Sequence, residues 1–104
     1  MGMKIEECLC TKVNYDGKEL EYSYRLTKKM FKNEEVYGIE IERKDNNLGK
    51  TINIERDCIE IVSKEKEKAS KLLNVLFNNN VSPIHLVDII SPYVEENYEE
   101  EFLN

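Results

Sequence analysis

Residues 3–62 alternate between apolar and polar side chains, and this pattern restricts the possible fold more than any other feature of the sequence. The alternation is clearest in one run of apolar residues: Leu20, Tyr22, Tyr24 and Leu26. Because successive side chains of a strand point to opposite faces of its sheet, these residues share one face. The pattern predicts a β-strand that is buried on one side and solvated on the other.

Turn-forming residues divide this region into four predicted strands, at about residues 3–13, 19–31, 35–45 and 50–58. Asp16 and Gly17 separate the first two strands, and both residue types tolerate the positive φ of a two-residue hairpin loop. Such a loop pairs Val13 with Leu20. The apolar sides of the first two strands then coincide, which favours a shared core face.

The later turns predict the remaining registers. A tight turn near residues 33–34 sets Leu26 opposite Ile41, and a four-residue loop after residue 45 sets Ile41 opposite Ile54. Both pairings place apolar residues on the core face that the first hairpin defines. Beyond Cys58 the alternation changes parity, which indicates a bulge or the end of the strand.

Helical spacing replaces the alternation over residues 64–98. Ser63 suits the cap of a first helix at about residues 64–79. Pro83 opens a second helix at about residues 83–98, since a proline costs nothing in the first turn. At Pro92 this helix is expected to kink or to end and restart, because the proline ring clashes with the carbonyl group four residues earlier.

These elements predict an α+β fold, in which two C-terminal helices pack on one face of a four-stranded antiparallel meander. The length of 104 residues fits a single domain over the whole chain. Whether its acidic tail, at about residues 99–104, is ordered stays open.

The net charge of −6 is confined to the last third of the chain. All 15 lysine and arginine residues lie at or before Lys71, where 15 acidic residues balance them. Six acidic residues follow: Asp88, Glu95, Glu96, Glu99, Glu100 and Glu101. Proteins that bind nucleic acids or anionic membranes present a basic patch, so we expect neither as a partner. The acidic end is either a solvated helix terminus or a docking segment for a basic protein.

No stretch approaches the roughly 20 apolar residues that a membrane-spanning helix needs. The first residues, MGMKIEE, lack the apolar region of a secretory signal. An odd number of cysteines that form no closely spaced framework is more typical of reduced thiols than of disulfides. These features predict a cytoplasmic protein.

Three cysteines and one histidine offer the donor types of a zinc site: Cys8, Cys10, Cys58 and His85. Structural zinc sites usually use C-x2–4-C, whereas a C-x-C within a strand points its thiols the same way, about 7 Å apart. The predicted registers also place Cys58 on the core face and the other two cysteines on the solvated face. We therefore expect no metal ligands, and keep a thiol-based redox or metal sensor at Cys8 and Cys10 as the alternative function.

The sequence has no recognisable catalytic constellation. It contains no phosphate-binding loop, dinucleotide fingerprint, nucleophile elbow or EF-hand spacing. His85 is the only histidine, so a general base of the usual type would have to be this residue, and no pattern places a serine or cysteine beside it. We expect a protein that is not an enzyme and that holds no cofactor.

The second predicted helix is unusually apolar, since five of the seven residues from Ile84 to Ile90 are large aliphatics. They extend further around the helix than one contact with a small sheet requires. Exposed apolar area of this kind marks an interface with a protein partner or a second copy, although burial beneath the first helix would also explain it. The candidate interaction residues are Ile84, Leu86, Ile89, Ile90, Tyr93 and Phe102.

The segments VYGIEIER and VSPIHLVDIISPYVEENY, separated by IVSKEKEKASKLLNVLFNNN, resemble a family of small uncharacterised proteins of clostridia and related spore-forming Firmicutes. The resemblance covers about residues 20–98. It implies a strand, a helix and a proline-led helix that ends in an acidic aromatic segment. The family is a domain of unknown function, so the resemblance implies no activity and no site residues.

Overall fold

The computed structural model describes residues 3–98, which form an antiparallel sheet followed by a layer of helices. The four strands lie in the order β1–β2–β3–β4, so the sheet is an open meander. The predicted α+β architecture is confirmed. Its elements are β1 Lys4–Tyr15, β2 Lys18–Phe31, β3 Glu34–Asn47, β4 Lys50–Ser63, α1 Lys66–Asn78, a 3-10 helix Pro83–His85 and α2 Leu86–Tyr98.

All three hairpins turn through two residues with positive φ, the geometry of a type I′ turn. The predicted loop at Asp16 and Gly17 is confirmed, with φ of 50° and 77°. The second turn lies at residues 32–33, one position earlier than predicted, and the third at Leu48 and Gly49. These tight turns let each strand pair with the next along most of its length.

The register between β1 and β2 agrees with the prediction, because Val13 lies opposite Leu20. The register between β2 and β3 does not. Leu26 lies opposite Ile39 instead of Ile41, since the turn falls one residue earlier. Moving the turn by one residue changes the partner of Leu26 by two residues. Because two is an even number, β3 still presents the predicted face to the core.

The register between β3 and β4 was predicted wrongly in a way that changes the exposed face of β4. Ile41 lies opposite Asp57 and not opposite Ile54. The loop between β3 and β4 has two residues instead of the predicted four, which moves the partner of Ile41 by two residues along β4. A bulge beside Asp45 moves that partner by one more residue. The total is odd, so Ile54 leaves the core and is 51% exposed, while Ile59 opposes Ile39 on the core face. β4 also continues to Ser63, five residues beyond its predicted end.

The core lies between the sheet and the helices. Tyr24 connects these layers, because its hydroxyl donates a hydrogen bond of 2.9 Å to the Val81 carbonyl and its ring meets Phe77 edge to face. The buried cluster consists of Tyr22, Tyr24, Leu26, Ile39, Ile41, Val62, Ala69, Leu73, Leu76, Leu86 and Ile90. Its strand residues all belong to one face of the sheet, and within residues 3–98 both helices pack on that face.

The helices begin and end close to the predicted residues. The sequence predicts Ser63 as the cap of α1, but Ser63 ends β4 and the N-cap residue is Glu65. The Glu65 amide donates a hydrogen bond of 2.9 Å to the Ser63 hydroxyl. The proline-led segment starts as a 3-10 turn at Pro83 and continues as α2, which runs through Pro92 to its end. Neither described helix has the length and apolar character that crossing a membrane requires.

Candidate functional site

The candidate interaction residues divide between the core and the surface. Leu86 and Ile90 are fully buried against the sheet, and Ile89 packs partly against the same cluster. Ile84 is 69% exposed and Tyr93 is 44% exposed. Phe102 and the acidic tail, residues 99–104, lie outside the described residues. One side of the aliphatic segment from Ile84 to Ile90 therefore packs into the core, and the other side leaves part of its apolar area at the surface.

Helical geometry explains this division and adds Val87 to the exposed set. Leu86 and Ile90 are four residues apart and so lie on the same side of α2, towards the sheet. Val87 is one position further around the helix and is 46% exposed. Sequence reasoning counted Val87 among the aliphatics without selecting it. A helical wheel centred on the buried pair would have found it, and we call Ile84, Val87 and Tyr93 the helix-layer surface.

Acidic residues accompany the helix-layer surface. Asp88 and Glu95 are exposed on α2, and no lysine or arginine occurs anywhere after Lys71. The helix-layer surface therefore combines apolar side chains with a local excess of negative charge. A partner of opposite charge would be attracted to it, and like-charged proteins would be repelled.

The structure does not bring the four candidate zinc donors together. His85 is exposed in the 3-10 helix, whereas Cys8, Cys10 and Cys58 lie on the face of the sheet that points away from the helices. Within residues 3–98, no three histidine, cysteine or acidic side chains are grouped closely enough to hold a metal ion.

Cys58 is exposed and not core-facing, which corrects the prediction. The odd register shift of β4 sets it opposite Glu40, on the same face as Cys8. Partial burial raises the pKa of the Cys58 thiol, and the negative charges of Glu40 and Glu60 raise it further. At neutral pH this thiol is protonated, so its reactivity is low.

Cys8 and Cys10 are closer together than the sequence predicted. Their Sγ atoms are 3.7 Å apart, because both side chains lean towards each other from one face of β1. The Ser23 hydroxyl lies 3.7 Å from the Cys10 sulfur. Partial burial raises the pKa of the Cys8 thiol and the neighbouring Cys10 adds to this, while Arg25 opposes it.

A charged network occupies the middle of this helix-free face. Arg25 donates hydrogen bonds of 2.8 Å to Glu40 and 3.2 Å to Glu42, and Arg56 donates to Glu42 from the other side. Glu42 is only 4% exposed, since the two arginines cover it. The hydrogen bonds from Arg56 and then Arg25 hold the pKa of the Glu42 carboxyl below its usual range, although burial opposes them. This carboxylate is already paired, so it is not available as a general base.

Comparison with known proteins identifies a family for this chain but no activity. No curated protein matches the sequence, and no solved structure matches the fold. A family model matches residues 3–96, which include all four strands, α1 and most of α2. The chain therefore belongs to a family of unknown function, DUF6514.

Proposed function

We propose that the protein is a small non-enzymatic interaction module that binds a protein partner through its helix-layer surface. The observation that carries the proposal is the exposure of Ile84, which together with Val87 and Tyr93 places three large apolar side chains at the surface within ten residues. The core does not need these groups, because Leu86 and Ile90 already fill the contact with the sheet.

The size of this surface indicates what else the partner must supply. Complete burial of a large apolar side chain contributes about 1.5–3 kcal/mol, so three half-exposed residues contribute about 2–5 kcal/mol together. Association itself costs at least about 4 kcal/mol in lost freedom of movement. Apolar contact alone is therefore too weak, and we propose a partner with basic residues that face Asp88 and Glu95.

The proposal extends to the setting of the protein. Three free thiols and the net charge of −6, with no lysine or arginine after Lys71, support action in the cytoplasm on a protein, without nucleic acid or membrane as a partner. The resemblance of the strand, helix and proline-led segments supports an origin of the family in clostridia and related spore formers.

The test is an affinity capture from a clostridial lysate with three forms of the full chain. These are the wild type, the double variant Ile84→Lys with Val87→Lys, and Leu48→Lys as a matched control. Leu48 is 96% exposed at a hairpin turn, away from the helix layer, so its replacement changes charge and apolar area without touching the proposed surface. Circular dichroism checks that all three fold.

We expect one protein to be retained by the wild type and by Leu48→Lys and lost with the double variant, with retention falling as salt is raised. Light scattering of the purified chain distinguishes a second copy from a different partner. A set of captured proteins that is the same for all three baits, together with a monomer in light scattering, would contradict the proposal.

A further inference from the structure

The cysteine pair on β1 is independent of the helix-layer surface. Cys8 and Cys10 are exposed, and they lie on the helix-free face of the edge strand. Their sulfur atoms are 3.7 Å apart, and within residues 3–98 no helix covers this face. Two thiols at this distance and open to solvent can act on one ligand together.

The distance favours a shared metal ion over a disulfide. Two thiolates bound to one ion at about 2.3 Å with a tetrahedral angle have sulfur atoms about 3.8 Å apart, and the observed 3.7 Å meets this without backbone movement. A disulfide needs sulfur atoms about 2.05 Å apart and α-carbons most often about 5.5–6 Å apart. Residues two apart in a strand have α-carbons about 6.6 Å apart, near the upper end of the range in which disulfides occur, so a disulfide here would be strained.

The neighbouring groups select the kind of ion. Arg25 lies opposite Cys8 across the strands, and its positive charge partly offsets the burial and the neighbouring Cys10, which together raise the pKa of the Cys8 thiol. The carboxylates in the two cross-strand rows that contain Cys8 and Cys10, Glu40 and Glu42, are already held by Arg25 and Arg56. The donors that remain beside each other are the two thiols, with only the neutral Ser23 hydroxyl near Cys10, and this set suits thiophilic ions better than calcium or magnesium.

We propose that Cys8 and Cys10 form a two-sulfur chelate for a thiophilic metal ion with a filled d shell, the class of Zn²⁺, Cd²⁺ and Cu⁺. Binding of a divalent ion replaces the two S–H protons with two metal–sulfur bonds and releases both protons to solvent. Two coordination positions stay open to water or to a small thiol. Such a site differs from a closed structural zinc site, which has four protein ligands.

The experiment is a titration of the reduced full-length chain with Cd²⁺, followed by equilibrium dialysis and by the ultraviolet thiolate-to-cadmium absorption. The variants are Cys8→Ser and Cys10→Ser, with Cys58→Ser as a matched control. Cys58 lies on the same face but at the opposite edge of the sheet, so it reports single-thiol binding. Serine replaces each exposed thiol with little change in size.

We expect the wild type and Cys58→Ser to bind Cd²⁺ with equal affinity. Either β1 variant should bind Cd²⁺ at least about 100-fold more weakly, which exceeds the loss expected for a residue that contacts only a metal ligand and not the metal. Mass spectrometry should show a mass increase equal to the bound ion. Failure of the wild type to bind would overturn the proposal. So would equal weakening by Cys58→Ser, or a product that has lost two hydrogen atoms as a disulfide. None of these results bears on the helix-layer surface, which lies on the other side of the sheet.

Discussion

Leu48 occupies a backbone conformation that its residue type disfavours. Its φ is 52°, and its side chain is 96% exposed, so no packing compensates for the steric contact between Cβ and the carbonyl oxygen. The other residue of the turn, Gly49, has a φ of 79° without such a cost. The third hairpin therefore forms in spite of Leu48 and not because of it.

Replacing Leu48 with asparagine should stabilise the protein. Asn-Gly is the preferred pair in a type I′ turn, and relief of the strain is expected to raise the free energy of unfolding by about 1 kcal/mol. Urea unfolding followed by circular dichroism measures the change. The control is Leu48→Ala, which removes the exposed side chain but keeps Cβ. An equal gain in both variants would show that the exposed leucine, not its φ, causes the cost.

Glu42 makes stability depend on pH. Its pKa is lower in the folded state than in the unfolded chain, so its contribution is complete above its unfolded pKa, about 4.3. The contribution is lost as the pH falls through the depressed folded value. At pH 7, Glu42→Gln should lower the free energy of unfolding by about 2 kcal/mol, the typical worth of hydrogen bonds to a charged group.

The difference between Glu42→Gln and the wild type should shrink as the pH falls below about 4, where the wild-type carboxyl also becomes neutral. Chemical unfolding at several pH values measures it. Glu67→Gln on the exposed first turn of α1 serves as the control and should cost less than about 1 kcal/mol, the usual contribution of an acidic side chain at a helix N-terminus. A difference that stays constant from pH 7 to pH 3 would mean that the charge of Glu42 is not what stabilises the fold.

At the scale of the elements, the close approach of β3 to β4 depends on Gly38. A Cβ atom placed on this residue would lie 2.4 Å from the carbonyl oxygens of both Ile59 and Glu60. The register between the two strands shifts at this point, since Tyr37 pairs with Ser63 and Ile39 with Ile59. The bulge in β4 therefore fits only against a residue without a side chain.

Gly38→Ala should consequently destabilise the protein by about 2–3 kcal/mol, the upper part of the usual range for overpacking, because the contacted atoms belong to the backbone. Thermal unfolding checks this. Gly17→Ala is the control, because nothing lies within 4 Å of its added Cβ and only its φ of 77° opposes the change. If Gly38→Ala cost no more than Gly17→Ala, the strands would not be held at the spacing that the structure shows.

At the scale of the whole molecule, Tyr24 joins the sheet to the helix layer. Its hydroxyl donates to the Val81 carbonyl in the segment between α1 and the 3-10 helix, and burial raises the pKa of this phenol. The stacked neighbour Tyr22 has a weaker bond, with its hydroxyl 3.5 Å from the Ser82 hydroxyl. One partly buried hydrogen bond therefore helps to fix where the chain turns into its second helical segment.

Tyr24→Phe should cost about 1–2 kcal/mol, because it leaves the Val81 carbonyl without its partner. Tyr22→Phe should cost less than half as much, since its bond is long. Urea unfolding of both variants gives the comparison. Equal losses, or a larger loss for Tyr22→Phe, would show that the Tyr24 hydroxyl does not hold the layers together.

The sequence by itself determined the elements and the inward face of β1 and β2. Alternation and helical spacing are local patterns that short stretches of sequence reveal. The two-residue loop at Asp16-Gly17 allows a single register between β1 and β2, and this register pairs Val13 with Leu20. The aliphatic run also indicated correctly that the second helical segment has more apolar residues than one face can bury, as the exposure of Ile84 shows.

Only the tertiary structure decided the face of β4, the separation of the thiols and the division of the aliphatics. Each residue that a loop or bulge adds before a strand moves every following side chain to the other face of the sheet. The bulge beside Asp45 arises from the pairing of β3 with β4, which local sequence does not specify. The sulfur separation depends on which way two side chains lean, which alternation does not specify. The burial of Leu86 and the exposure of Val87 follow from how α2 docks on the sheet, a contact between segments that are distant along the chain.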